Sequence, residues 1–195
     1  MTSLTDLLKN APKWRKYWRI TKAGEIARRA FSTNSFDGLL TTIGVLTGLL
    51  AAGVTDARII TSTCIATAIA IGLSGFSGSF ITEAAERKKK LIELERAMMR
   101  KLSNTEIERA SEFATIIIAI IDGASPLIAS LIIVTPFFLL PATTAYYYSF
   151  IIAGIALIAL GLFLGKISKE NKLLTGFKML LAGILAAGIS FILLN

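Results

Sequence analysis

Two acidic residues, Asp37 and Asp122, lie inside long apolar stretches of the chain, and each is followed by glycine. A carboxylate at the centre of a membrane helix costs about 2.5–3.5 kcal/mol on insertion scales, so it usually lines an ion path or pairs with another group. We therefore expect both aspartates in a polar pathway. The alternative for Asp37 is capping, or an ion pair with Arg28 or Arg29, near the membrane surface.

A second group of candidate ligands lies in the charged segment 82–111, which reads as two helices joined by a turn. Acids seven or four positions apart on each helix share a face. Carboxylates from two facing helices could bind a divalent cation, and oxygen ligands favour Mg, Mn or Fe over Zn or Cu(I). The alternative is a solvated, salt-bridged face, because the acids alternate with Lys and Arg. The candidate metal ligands here are Glu86, Glu93, Met98, Glu108 and Glu112.

The elements that must position these residues are membrane helices. The chain is 54% hydrophobic and 17% charged, with a mean hydropathy of +0.67, outside the range of soluble domains. About 20 helical residues cross a bilayer, and continuous apolar runs favour helices over a β-barrel. The predicted fold is all-α and polytopic, one membrane domain with five transmembrane helices at 33–54, 57–81, 112–140, 143–165 and 173–194.

Basic residues orient these spans. Eight Lys and Arg residues precede span one, eight separate spans two and three, and three separate spans four and five, whereas the other two loops hold one and none. Because cytoplasmic loops are enriched in Lys and Arg, the N-terminus is predicted inside and the C-terminus outside, in a cell membrane. Topology and anionic lipid head groups account for the net charge of +8, so no nucleic-acid partner is expected.

Two segments outside the spans have patterns of their own. Residues 1–32 interleave Leu, Trp and Tyr with bases, which predicts an amphipathic helix in the cytoplasmic interface, with a partly disordered basic tail as the alternative. Residues 82–111 predict a cytoplasmic helical hairpin, whose first arm continues to Leu102 and whose second arm begins at a capping box over Ser103–Glu106. The predicted segments are 1–32, 33–81, 82–111 and 112–195.

Small residues predict close helix contacts, because GxxxG steps let backbones approach. Span four contains such a step, and in span one Asp37, Thr41, Gly44 and Gly48 fall on one helix stripe. That stripe predicts a homodimer seam with a polar lining. The two Asp-Gly pairs are 85 positions apart, which indicates either a parallel repeat of spans one and two as three and four, or coincidence.

The sequence contains few of the side chains that enzymes use for catalysis, which argues against an enzyme. The chain has no His and one Cys, Cys64, and it lacks a GxSxG motif. A disulfide within one chain is excluded, and so is a thiolate-imidazole metal cluster. No set of residues has a recognisable catalytic spacing.

Four segments in order along the chain carry a family resemblance: SFDGLLTTIGVLTGLLAAG, SGFSGSFITEAAER, TPFFLLP and GFKMLLAGILAAGISFIL. From about residue 33 to the end, the chain resembles the vacuolar iron transporter family, which includes nodulin-like relatives. The resemblance implies a five-span homodimer in which span one lines a central path. It implies export of Fe²⁺ or Mn²⁺ from the cytoplasm as an antiporter against protons, the metal being substrate and not cofactor. Asp37 would then be the carboxylate of the path.

The chain departs from the family pattern at the end of span two. Gly75 stands where the family has a pore Met, and Ser79 where it has a pore Glu. Glu83, one turn further on, could supply a substitute carboxylate. The hairpin is also shorter than the family's three-helix metal-binding module. The predicted translocation path comprises Asp37, Thr41, Gly44, Ser79, Glu83 and Asp122.

Two functions follow from these observations. The first is a dimeric transporter in which the hairpin gathers a divalent cation, Asp37 of each subunit binds it, and protonation of Asp37 or Asp122 releases it. Burial raises and a bound cation lowers a carboxyl pKa, so metal and proton compete for one site. The second is a membrane scaffold that does not transport, or a family member whose ion site has been lost.

Overall fold

A computed structural model describes residues 16–19, 21–102 and 105–194, and all regular structure within them is helical. The predicted interfacial residues before Lys16, together with Ile20, Ser103, Asn104 and Asn195, lie outside the described part. After a helical turn at 16–19, the elements are α1 (Ala23–Ala51), α2 (Ala57–Met98), α3 (Glu106–Val134), a 3-10 helix (Thr135–Phe138), α4 (Ala142–Ser168) and α5 (Lys172–Leu194).

The chain divides into two compact units. Of the described residues, the first unit contains those up to Ala30 together with those in the range 75–122, and the second contains those in the ranges 31–74 and 123–194. A small apolar cluster of Ala23, Ala114 and Ile118 forms the core of the first unit. The larger core of the second unit is built from α1 to α4 and the 3-10 helix, and it includes Leu46, Ile60, Ile133, Tyr146 and Leu157.

Four of the described helices are long and apolar enough to cross a membrane: α2, α3 with the 3-10 helix, α4 and α5. Large apolar side chains stay exposed along them, including Ile81, Tyr147, Ile155 and Ile192. A lipid solvent accommodates such side chains, whereas water does not. Helix α1 is not among the four, because Asn34, Asp37 and several threonines lower its average apolarity. The five-span arrangement therefore stays a prediction.

Helices α4 and α5 form a tight antiparallel pair. A Cβ on Gly161 would lie 2.5 Å from Gly176 Cα, and a Cβ on Gly165 would lie 2.7 Å from Lys172 Cα. Backbone meets backbone at both positions, so the GxxxG step of span four is a helix contact of the predicted kind.

Helices α1 and α5 run parallel to each other. A Cβ on Gly44 would lie 3.8 Å from Ser190 Oγ, and a Cβ on Gly48 would lie 3.2 Å from Leu194 Cδ1. Four residues further along α1, from Gly44 to Gly48, the contacted residue is also four further along α5, from Ser190 to Leu194. The glycines of span one thus contact the last helix of the same chain, and the dimer seam along their stripe stays a prediction.

A buried corner joins the 3-10 helix, the start of α4 and the loop after α1. The rings of Phe137 and Tyr146 meet edge to face with centroids 5.0 Å apart. The Tyr146 hydroxyl donates to the Val54 carbonyl oxygen at 3.0 Å. Pro136 opens the 3-10 helix and Pro141 precedes α4, so each of these prolines lies where a helix starts and its missing N–H costs nothing.

The turn of the predicted hairpin ends α2 at Met98, four residues before the predicted Leu102. Met99 has φ 51°, in the left-handed region. Arg100 N donates to Glu95 O at 3.2 Å and Met99 N donates to Arg96 O at 3.3 Å, the two bonds of a Schellman motif. Sequence inspection missed this helix end because its usual signal is glycine, and here methionine occupies the position.

Replacement of Met99 by Gly is expected to stabilise the protein. A side chain in the left-handed conformation costs about 1 kcal/mol that glycine avoids, and Met99 is 97% exposed, so almost no packing is lost. Thermal unfolding in detergent should show a melting temperature about 2–4 °C higher. Met98→Gly is the control, since Met98 lies within the helix and glycine there should destabilise. A lower melting temperature for Met99→Gly would contradict the geometry of the turn.

The second arm begins at Glu106, with Thr105 as its cap. Glu108 N donates to Thr105 Oγ1 at 3.5 Å, and Glu95 Oε1 accepts from Leu102 N at 2.7 Å across the turn. The segment before α1 contacts this same arm through the Lys16–Glu106 ion pair. The rings of Tyr17 and Phe113 lie 6.0 Å apart.

Candidate functional site

Asp37 lies on α1 beside a tight helix crossing. A Cβ on Gly38 would lie 2.6 Å from Pro126 Cα and 2.7 Å from Pro126 O, so α1 and α3 touch through backbone there. The Gly38 carbonyl oxygen accepts from Thr42 Oγ1 at 2.7 Å and from Ser130 Oγ at 3.3 Å. Asp37 itself is exposed on the single chain. Its backbone is therefore fixed while its carboxylate points away from the core of its unit.

The second Asp-Gly pair also adjoins a helix crossing. A Cβ on Gly72 would lie 2.8 Å from Gly123 O and 2.8 Å from Leu127 Cδ1, which brings α2 against α3. Asp122, the residue before Gly123, is half-buried. Gly38 thus serves close packing of α1 against α3, whereas at the second crossing the glycine that permits the close approach is Gly72 of α2.

The remaining predicted path residues have ordinary surroundings. Thr41 and Ser79 are half-buried, and Gly44 packs against α5. Glu83, the proposed substitute carboxylate, accepts from Arg87 Nε at 3.0 Å, and their side chains are only 19% and 11% exposed. A cation at Glu83 would have to compete with this ion pair.

A cleft of about 610 Å³ lies between the two arms of the hairpin within the first unit. One part of its lining is apolar, and the other carries two bases and three acids. Helix α2 lines the cleft through Phe80, Ala84, Arg87, Lys88, Leu91, Ile92 and Glu95, and α3 lines it through Glu108, Ser111, Glu112, Thr115 and Ile116. Two of the predicted metal ligands, Glu108 and Glu112, thus share one cavity.

The predicted ligands on α2 do not line that cavity. Glu86 and Glu93 are exposed, and Met98 is 52% exposed beside the turn. Lys90 Nζ lies 2.9 Å from Glu86 Oε1, and this hydrogen bond and charge lower the Glu86 pKa. Glu86 is therefore part of a solvated, salt-bridged helix face, the alternative to a metal ligand.

The acid of α2 that does line the cleft is Glu95, which sequence reasoning left out of the ligand set. Positions 84, 88, 91 and 95 follow one helical stripe. Ala84 and Leu91 are the apolar residues on that stripe, so the four-residue spacing from Leu91 to Glu95 was a usable signal. Within the described part of the chain, no three His, Cys, Asp or Glu side chains lie together closely enough to hold a metal ion.

The four long apolar helices, with apolar side chains exposed along them, define a polytopic α-helical membrane protein. Residues 88–194 match the VIT family, so the chain belongs to this family of vacuolar iron transporters, as the sequence resemblance indicated. The chain is also similar to an uncharacterized protein of Methanocaldococcus jannaschii. The two are 38% identical over 169 residues, which cover 85% of this chain and 87% of that protein.

Proposed function

We propose that the protein is a homodimeric transporter that exports Fe²⁺ or Mn²⁺ from the cytoplasm in exchange for protons. Membership of the VIT family carries this proposal, because members of the family are transporters rather than enzymes. Asp37, in one of the four segments that carry the sequence resemblance to the family, is the proposed metal ligand within the membrane. Asp37 and Asp122 are the two proposed proton acceptors.

The parallel packing of α1 and α5 supports a fifth span. Helix α5 is apolar enough to cross the bilayer, and Gly44 and Gly48 of α1 contact it directly. The second half of α1 therefore lies at the same depth as α5, in spite of its lower apolarity. Five alternating spans also make the first and last helices parallel, with the N-terminus inside a cell membrane and the C-terminus outside.

The exposure of Asp37 supports a dimer. An ionised side chain facing lipid is costly, and in the described residues of one chain no group of three acids could hold a metal. A second copy placed against α1 would remove the carboxylate from lipid and bring a second carboxylate to the ion. Hard divalent cations suit such oxygen ligands.

A non-transporting scaffold is the second candidate, and particular residues favour it. Gly75 and Ser79 supply neither the thioether nor the carboxylate found in the family at these positions. Glu83 already pairs with Arg87. In this case Asp37 and Asp122 would only pair with bases at the helix ends.

Uptake into proteoliposomes distinguishes the two functions. The purified protein is reconstituted, Mn²⁺ or Fe²⁺ is added under anaerobic conditions, and metal and proton movements are followed with two entrapped dyes. A transporter moves metal in one direction and protons in the other, faster than empty liposomes. Absence of movement for both ions, from protein that elutes as a folded dimer, would establish the scaffold.

The hairpin is proposed to gather cations through the carboxylates of its cleft. Glu108→Gln with Glu112→Gln is expected to raise the KM for Mn²⁺ uptake about threefold, because the negative potential near the entrance falls. Glu86→Gln with Glu93→Gln removes the same charge from outside the cleft and should have a smaller effect. Equal KM changes for both double variants would show that only net charge matters.

A further inference from the structure

We propose that Ser130 is a positioning residue for metal binding, because it holds the backbone that carries Asp37. This inference rests on the proposed transport function and adds a residue of α3 to it. Ser130 is 1% exposed, and its hydroxyl donates to the Gly38 carbonyl oxygen at 3.3 Å from a position 92 residues away in the chain. The bond thus joins α3 to the residue directly after Asp37.

Hydrogen bonds and a backbone contact meet at Gly38. Its carbonyl oxygen receives two side-chain hydroxyls, one from Thr42 on α1 and one from Ser130 on α3. The same residue touches the backbone of Pro126, where even a methyl group would collide. Sterically, Gly38 sets how closely the helices approach, and the Ser130 bond sets their register and rotation at that point.

Rotation of α1 has a direct consequence for Asp37. The carboxylate is exposed, and no packing within the core of its unit fixes its direction. Its placement relative to an ion therefore depends on the orientation of the backbone beneath it. A misplacement on the order of 1 Å weakens a binding or reacting constellation substantially. Loss of the Ser130 bond should thus affect metal affinity more than folding.

Ser130→Ala and Ser149→Ala form a matched pair of variants. Ser149 is also a fully buried serine in the second unit, at 0% exposure, and its hydroxyl has no hydrogen-bond partner among the described residues. Both changes remove one buried oxygen atom. Only the Ser130 oxygen is hydrogen-bonded to Gly38, the residue after Asp37.

The first measurement is Mn²⁺ uptake by reconstituted protein as a function of metal concentration. Ser130→Ala is expected to raise the KM about threefold, the factor that corresponds to an average interhelical hydrogen bond in a membrane, with little change in maximal rate. Ser149→Ala should leave the KM unchanged. A purely structural role for Ser130 would lower the melting temperature and the maximal rate without moving the KM, and that result overturns the proposal.

The second measurement does not depend on transport. In a Cys64→Ala background, Asp37→Cys reports the surroundings of that position through its rate of reaction with a small charged maleimide. Addition of Ser130→Ala should change this rate about threefold, whereas addition of Ser149→Ala should not. Equal labelling rates in all three proteins overturn the positioning role. A changed labelling rate, combined with no metal uptake by the unaltered protein, keeps the positioning role and rejects the transport function.

Discussion

Replacement of Asp37 by Asn is expected to reduce Mn²⁺ and Fe²⁺ uptake to the level of empty liposomes. The amide keeps the shape of the carboxyl group but loses its negative charge and its ability to exchange a proton. A hard divalent cation leaving water needs anionic oxygen ligands, and metal–proton exchange needs a group that binds either one. Proteoliposome uptake and calorimetric titration of Mn²⁺ should therefore both lose their signal.

The dimer and the fold should survive this change. Asp37 is exposed on the single chain, and the tight contact beside it is made by Gly38, so Asn disturbs no packing. Asp56→Asn is the matched control, because Asp56 Oδ1 accepts from Arg58 N at 2.7 Å at the start of α2, and Asn caps helices equally well. Unchanged uptake by Asp37→Asn would place the ion path elsewhere in the chain.

The type of each element could be predicted from the sequence, because continuous apolar runs and GxxxG steps are local signals. Helices occupy all five predicted spans. The residues at which the helices begin and end were harder to predict from the sequence. Helix α1 begins at Ala23, ahead of the predicted start at 33, since good helix formers extend it beyond its apolar part. Helix α2 ends at Met98, and the next residue, Met99, adopts the left-handed conformation in which glycine is usual.

The partners of each helix face could not be predicted from local patterns. The stripe from Asp37 to Gly48 was interpreted as a single surface, yet α5 covers its glycine half and leaves the aspartate exposed. Spacing alone says which residues share a face and not which helix contacts that face. The same limit explains the choice of Glu86 and Glu93, which share a face but lie outside the cleft that contains Glu95.

Replacement of Gly161 by Ala should cause the largest loss of stability among single methyl additions in the α4–α5 pair. The new Cβ would lie 2.5 Å from Gly176 Cα and 2.8 Å from both Gly176 N and Thr175 O. All three atoms belong to backbone, so no side chain can rotate away and the helices must separate. Overpacking of this kind costs about 1–3 kcal/mol, which corresponds to a melting temperature lower by about 2–12 °C for a chain of this size.

Gly188→Ala is the matched control for this prediction, since it adds the same methyl group to α5 where nothing lies within 4 Å. Alanine favours a helix over glycine, so the melting temperature should stay the same or rise slightly. A separated α4–α5 pair would also shift α5 against Gly44 and Gly48, which lie about two and three turns from Asp37. Gly161→Ala should therefore impair uptake beyond its loss of folded protein. If Gly161→Ala and Gly188→Ala unfold at the same temperature, the backbone contact between α4 and α5 is not as close as described.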